Sequence, residues 1–133
     1  MTVDAPASHD VVKSFYAGFQ HEDLSSAIGP LLSEGIKWHV AGVNPLAGDF
    51  VGAEEVFAAM RRYAEASNRT LHLDTLSVLG EGTHAVAIHA ATARRGHLQC
   101  SAHEIDLFHV ENGRITEMWS FSEDQDATDA LWS

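Results

Sequence analysis

Two carboxylates, Glu104 and Asp106, stand two residues apart in the run HLQCSAHEIDLFHVENGRITEMWSF, His97 to Phe121, and share a parity with Phe108. Residues two apart lie on one face of a β-strand, so both acids are expected beside an aromatic ring. Burying a carboxylate is expensive unless it is paired, hydrogen-bonded or protonated. In an apolar setting Asp106 would have its pKa raised and could donate a proton or hydrogen bond to a developing oxyanion. The structural alternative is a carboxylate held by Tyr16, a helix N-terminus or water. Glu104, nearer the other end of the strand, reads as a partly solvated or Arg-paired acid.

His39 is the natural partner for such an acid, because a free imidazole titrates near neutrality and can act as general base. Strict alternation in IKWHVA, Ile36 to Ala41, nevertheless turns Trp38 and Val40 inward and His39 outward. Trp38 and Tyr63 could stack on a flat ligand or serve as plain core. Asp49 is either an acid over a cavity mouth or an exposed turn residue. The nine histidines, His9, His21, His39, His72, His84, His89, His97, His103 and His109, raise the question of metal. None falls in a recognised ligand spacing, so no metal and no cofactor are expected. His89 and His103 are placed together on an outer sheet face.

The elements that must position these groups follow from periodicity. Val11, Val12, Phe15, Tyr16 and Phe19 predict a helix capped by Ser8 or Asp10 and ending near His21, after a loose arm over residues 1–7. Asp23 caps a short second helix carrying Leu24, Ile28, Leu31 and Leu32. A strand over Ile36 to Ala41 and a loop from Gly42 to Gly52 lead to a helix from Ala53 to Ala66, with Val56, Ala59, Met60 and Tyr63 on one face. Strands are predicted over Thr70–Leu79, His84–Ala93, Leu98–Val110 and Ile115–Ser122, joined by glycine-bearing turns. Ser122 or Asp124 caps a last helix that buries Leu131 and Trp132.

The chain has 133 residues with 45% hydrophobic content, one domain's worth, and no internal repeat. The net charge of −11, from 8 Lys+Arg against 19 Asp+Glu, argues against nucleic acid or an anionic membrane as partner and for a neutral or cationic ligand; with an apolar pocket, a small neutral or hydrophobic molecule is expected. One cysteine, Cys100, and an amino end without a basic, apolar leader lead us to expect a cytoplasmic protein, with no membrane span.

This order of elements gives an α+β plan in which a curved antiparallel sheet wraps around N-terminal helices and encloses a cone-shaped pocket. Through VVKSFYAGFQHEDLSSA, WHVAG, PLAGDFVGAEEV and HEIDLFHVENGRITEMWSF the chain resembles the SnoaL-like and ketosteroid-isomerase-like branch of the nuclear transport factor 2 superfamily, of cystatin-like fold. The resemblance implies a homodimer through the outer sheet face, here His103, Ile105, Leu107, Trp119 and Phe121, and a small-molecule site in the cone. It also implies an oxyanion role for Asp106, two residues before Phe108. By parity the cone wall would carry Val86, Ile88, Ala90 and Thr92 on one strand and Met118, Ser120 and Ser122 on another.

The departures from the family are specific. The isomerase tyrosines line up with Phe15 and Met60, its base with Val40 or His39, and Ser120 stands where SnoaL-type cyclases often carry an acid after the tryptophan. An epoxide hydrolase's Asp-Arg-Asp set is also missing. Steroid isomerisation is therefore not expected. The leading reading is a cofactor-free acid–base enzyme of isomerase, cyclase, dehydratase or hydrolase type. Asp106 and His39 are its catalytic candidates; Tyr16, Trp38, Met60, Tyr63, Ile88, Glu104, Phe108, Met118 and Ser120 would contact substrate. The alternatives are a non-catalytic small-molecule-binding or accessory dimer, and a structural dimer whose cone is filled by its own side chains.

Overall fold

A computed structural model describes residues 6–133. The expected loose arm lies mostly outside them, and Pro6 and Ala7 carry no regular structure. Helix α1 spans Ser8–Ala17 and runs on as a 3-10 turn, Gly18–Gln20. Its expected cap is absent: Ala7 holds the N-cap position, and the Ser8 hydroxyl instead donates to the His84 carbonyl at 3.0 Å, tying the helix to the sheet. A Cβ on Gly18 would lie 2.3 Å from Ile28 Cγ2, so only glycine lets α1 turn this tightly over α2, Leu24–Ile28. Asp23 caps α2 as expected, accepting from the Ser26 amide.

Six strands follow: β1 (Leu32–Val40), β2 (Gly48–Val51), β3 (His72–Glu81), β4 (His84–Arg95), β5 (Leu98–Glu111) and β6 (Arg114–Ser122). Helix α3, Ala53–Ala66, lies between β2 and β3, and α4, Gln125–Trp132, ends the chain with Asp124 as its cap. The strand order is β2-β1-β6-β5-β4-β3. Two expectations change here. Gly48–Val51, read as loop, is an edge strand paired with Lys37 to Val40, and the sheet is mixed, because β1 runs parallel to β6.

The sheet bends at irregularities between Thr75 and Ser77 in β3 and between His109 and Val110 in β5. Its concave face holds the core, where Val11, Val12 and Phe15 of α1 meet Ala85, Ala87 and Phe108, and Val56 and Ala59 of α3 complete the packing. The small residues Ala85 and Ala87 let α1 approach the sheet closely. Leu131 and Trp132 of α4 pack on Ala93 as a second cluster.

The register of β4 against β5 decides what faces inward. Arg95 pairs with Leu98 across a two-residue turn, Gly96-His97, whose glycine takes φ 64. A two-residue turn pairs even residues of β5 with odd residues of β4, so Asp106 opposes Ala87 and Glu104 opposes His89. The parity expected for β4 is thus reversed. Val86, Ile88 and Ala90 face outward, and Ala85, Ala87, His89, Ala91 and Ala93 face the cone.

Candidate functional site

Asp106 sits mid-strand, flanked by Ala87 on β4 and Ser120 on β6, and is only 4% exposed. Its Oδ2 accepts a short hydrogen bond from the Tyr16 hydroxyl of α1. The same oxygen lies 3.2 Å from Nε2 of His89, which is fully buried. On its other side, His89 Nδ1 is hydrogen-bonded to Thr75 Oγ1 at 3.0 Å, and the edge of the imidazole meets the Tyr16 ring at 4.4 Å between centroids. His89 Nε2 is buried with no hydrogen-bond partner among the described residues, and Asp106 Oδ1, equally buried, has none beyond the neighbouring Glu104 carboxyl.

Glu104 stands one pleat further along the same face and is half-buried. Its carboxyl is pushed well above the usual carboxylate range, first by burial, then by the charge of Asp106 and by a side-chain hydrogen bond with it. No Arg or Lys pairs with it among the described residues, so of the two expected readings, partly solvated or Arg-paired, the half-buried carboxyl fits the first. Tyr16 likewise has its hydroxyl pKa pushed up, by burial and then by Asp106. The floor therefore sets the Glu104 carboxyl, which holds its proton more tightly than usual, beside Asp106, which Tyr16 holds from behind and His89 Nε2 faces at 3.2 Å.

Above this floor opens a cavity of about 670 Å³, so the cone is not filled by its own side chains. Tyr16, Trp38, Met60, Tyr63, Met118 and Ser120 all line it, together with the two acids. Trp38 Nε1 donates to Ser120 Oγ at 2.9 Å, and the Tyr63 hydroxyl donates to the Leu46 carbonyl at 3.2 Å. This size and mostly apolar lining suit a small organic molecule.

Three expected site residues lie elsewhere. Ile88 points outward for the register reason given above. Phe108 is fully buried beneath the cavity, edge-on to Phe15 and Tyr16 at 5.7 and 5.9 Å. His39 lies on the outer face, stacked on Trp119, with Nδ1 2.7 Å from Asp49 and Nε2 2.5 Å from Glu117. Asp49 accordingly belongs to β2 and this outer cluster, away from the cavity mouth. The group holding the acid is Tyr16, as the structural alternative had it, one residue after the position where the isomerase tyrosine lines up. His89, placed outside with His103 by the wrong parity, is the site residue that sequence reasoning missed; reading Gly96-His97 as a two-residue turn would have found it.

Among the described residues no three His, Cys, Asp or Glu side chains converge to hold a metal ion, and no helix is long and apolar enough to cross a membrane. The chain is 29% identical to Uncharacterized protein Rv0034 of Mycobacterium tuberculosis over the full length of both. It is similar to the solved structure of Bal32a from a soil-derived mobile gene cassette, with 29% identity, a TM-score of 0.88, and coverage of 95% of this chain and 96% of that one. A putative SnoaL-like polyketide cyclase from Jannaschia sp. shares the fold at 16% identity and a TM-score of 0.76, covering 100% of this chain and 99% of that one. The model of the SnoaL-like domain matches residues 12–118, and the chain belongs to that family.

Proposed function

We propose that this chain is a cofactor-free acid–base enzyme acting on a small, largely apolar molecule held in the cone. Asp106 accepts a proton or hydrogen bond from the substrate, and Glu104 carries the proton that is returned. The observation behind this reading is the pair of acids at the floor of the cavity: Asp106, 4% exposed, beside Glu104, whose carboxyl is pushed up by burial and by Asp106. Moving one proton from substrate to Asp106 and another from Glu104 back to substrate changes no oxidation state, which suits isomerisation, cyclisation or dehydration. The likeness to a putative polyketide cyclase supports the cyclisation branch.

The protein would work in the cytoplasm as a homodimer through the outer sheet face, where Ile105, Leu107 and Trp119 are half-buried and Phe121 is 44% exposed. A non-catalytic binding protein is the second reading; the aromatic donors of the cone, all engaged internally, favour it. Screening enolisable carbonyl and hydroxyl compounds for turnover decides between them. Asp106→Asn should lower kcat about 100-fold or more on any substrate found. Unchanged turnover in both Asp106→Asn and Glu104→Gln would sink the enzymatic reading.

A further inference from the structure

Charge is unevenly placed around the cone. Arg61 and Arg69 are the two arginines that line the cavity, and both are exposed, so they stand at its opening. Arg61 belongs to the stripe of α3 that presents Phe57, Met60 and Ala64 to the cavity. Arg69 follows the helix. Its amide donates to the Ala64 carbonyl at 2.7 Å, and the hydroxyl of the next residue, Thr70, is bonded to the Arg94 carbonyl at 2.9 Å and amide at 2.8 Å. Ala93, beside Arg94, pairs with Cys100, six residues before Asp106 on one strand face. That end of the cavity therefore lies roughly 20 Å from Asp106 along the strand.

Arg69 has φ 62 directly after Asn68 at φ 51, in the left-handed region that side chains other than glycine rarely occupy. The bonds to Ala64 and Arg94 hold it there, and strain of this kind gathers at ligand clamps. Neither guanidinium has a protein partner. No carboxylate lies within 4 Å of either among the described residues, although the chain carries 19 Asp+Glu. Arg95, by contrast, is tied to the Leu131 and Ser133 carbonyls, and Arg62 lies over the Phe50 ring at 5.3 Å. Of the acids at the opening, Asp23 is taken up by Ser25 and Ser26, and Glu22 makes no ion pair among the described residues.

The floor is the opposite case. The Glu104 carboxyl is hydrogen-bonded to Asp106, and the Tyr16, Trp38 and Tyr63 donors are engaged by Asp106, Ser120 and Leu46. His89, whose Nε2 has no hydrogen-bond partner, is fully buried and outside the cavity lining. An anion at the floor would meet the charge of Asp106 with no guanidinium to offset it.

We infer that the cone takes an amphipathic organic acid, its apolar body along Trp38, Met60 and Tyr63 and its carboxylate held at the opening by Arg61 and Arg69. This names the ligand class of the site proposed above and rests on the cone being a small-molecule site, not on turnover. The net charge of −11 repels anions at long range, so the discrimination is short-range. Planar guanidiniums present paired N–H donors that fit a carboxylate in two-point contact.

Three probes on one body, naphthylbutanoate, naphthylbutanamide and naphthylbutylamine, are titrated into the full chain at neutral pH by calorimetry or ligand-observed NMR. The carboxylate should bind about tenfold more tightly than either other probe, the expected effect of charge-assisted hydrogen bonds that the amide and the amine lack. The preference should fall to within about twofold in the double variant Arg61→Gln/Arg69→Gln, and shrink in about 0.5 M salt. Arg114→Gln, at the start of β6 and off the cavity lining, should keep it. Thermal melts check that these exposed substitutions leave the fold intact; if the double variant does not fold, the single ones, each expected to lower the preference about threefold, decide.

Tighter binding of the amide or the amine overturns the anchor, as does a preference that survives the double substitution or that Arg114→Gln abolishes. Equal binding of all three probes overturns the anchor and leaves the cone a small-molecule site. No binding by any of them at its solubility limit overturns both. A chain that prefers the carboxylate through Arg61 and Arg69 yet converts nothing keeps the anchor and loses the enzymatic reading.

Discussion

His39 and His89 use the same ring in opposite settings. Each has both nitrogens near a partner and an aromatic neighbour: His39 lies between Asp49 and Glu117 and stacks on Trp119, and His89 lies between Thr75 and Asp106 and meets Tyr16 edge-on. The outer ring has two carboxylates and access to water; its pKa is raised, chiefly by the hydrogen bond to Asp49. The inner ring has one carboxylate and one hydroxyl nearby and is fully buried. Water replaces a lost partner on the outside and cannot do so on the inside, so similar contact lists have unequal consequences.

The widest gap should appear on deleting each ring. His89→Ala removes a fully buried side chain and its hydrogen bond to Thr75, and should destabilise the fold by roughly 3–5 kcal/mol in urea unfolding. His89→Gln, which keeps an N–H donor, should lose less than half as much. The interior setting is sharpened next by Glu104→Gln. The folded pKa of Glu104 lies above its unfolded value, so its contribution to stability is complete below about 4.3 and is lost as pH rises through the folded value. Removing the ionisable group should therefore raise stability near neutrality by on the order of 1 kcal/mol and flatten the pH profile across that window.

The smallest change is expected from His39→Ala, below about 1 kcal/mol and weaker still in high salt, since its partners are partly solvated. Its folded pKa is also raised, so the stabilisation is complete below about 6.5 and fades as pH rises through the folded value. Thermal melts of the variant and the unsubstituted chain at acid and alkaline pH would show the difference closing on the alkaline side. If His39→Ala proved as damaging as His89→Ala, burial would not be what separates the two rings.

Where local chemistry decides, the sequence was legible. Helix α3 begins and ends where its apolar spacing and outer charges place it, and Asp23 and Asp124 cap the helices expected of them. The cone fold and the SnoaL-like family were readable from the order of elements. Alternation in IKWHVA turned His39 outward correctly, although its pairing with Asp49 depended on β2, whose four residues include a glycine and an aspartate and carry little strand signal. Within the site, Asp106, Tyr16, Trp38, Met60, Tyr63, Met118, Ser120 and Glu104 lie on the cavity as read. Ile88 and His89 exchanged faces because side-chain period is two, and a one-residue difference in turn length reverses a whole strand.

The parallel pairing of β1 with β6 has a bearing on how the molecule forms. Trp38 meets Met118, and His39 meets Trp119, across about eighty intervening residues, so the sheet cannot close until nearly the whole chain has been made. Such distant pairing slows folding, and times of milliseconds to seconds are expected. Trp38 and Trp119 lie on the two strands concerned, and their fluorescence in a stopped-flow refolding experiment should report that closure. A nascent or truncated chain would hold Tyr16 and the early helices but not the last wall of the cone, and would be inert until the final strand docks.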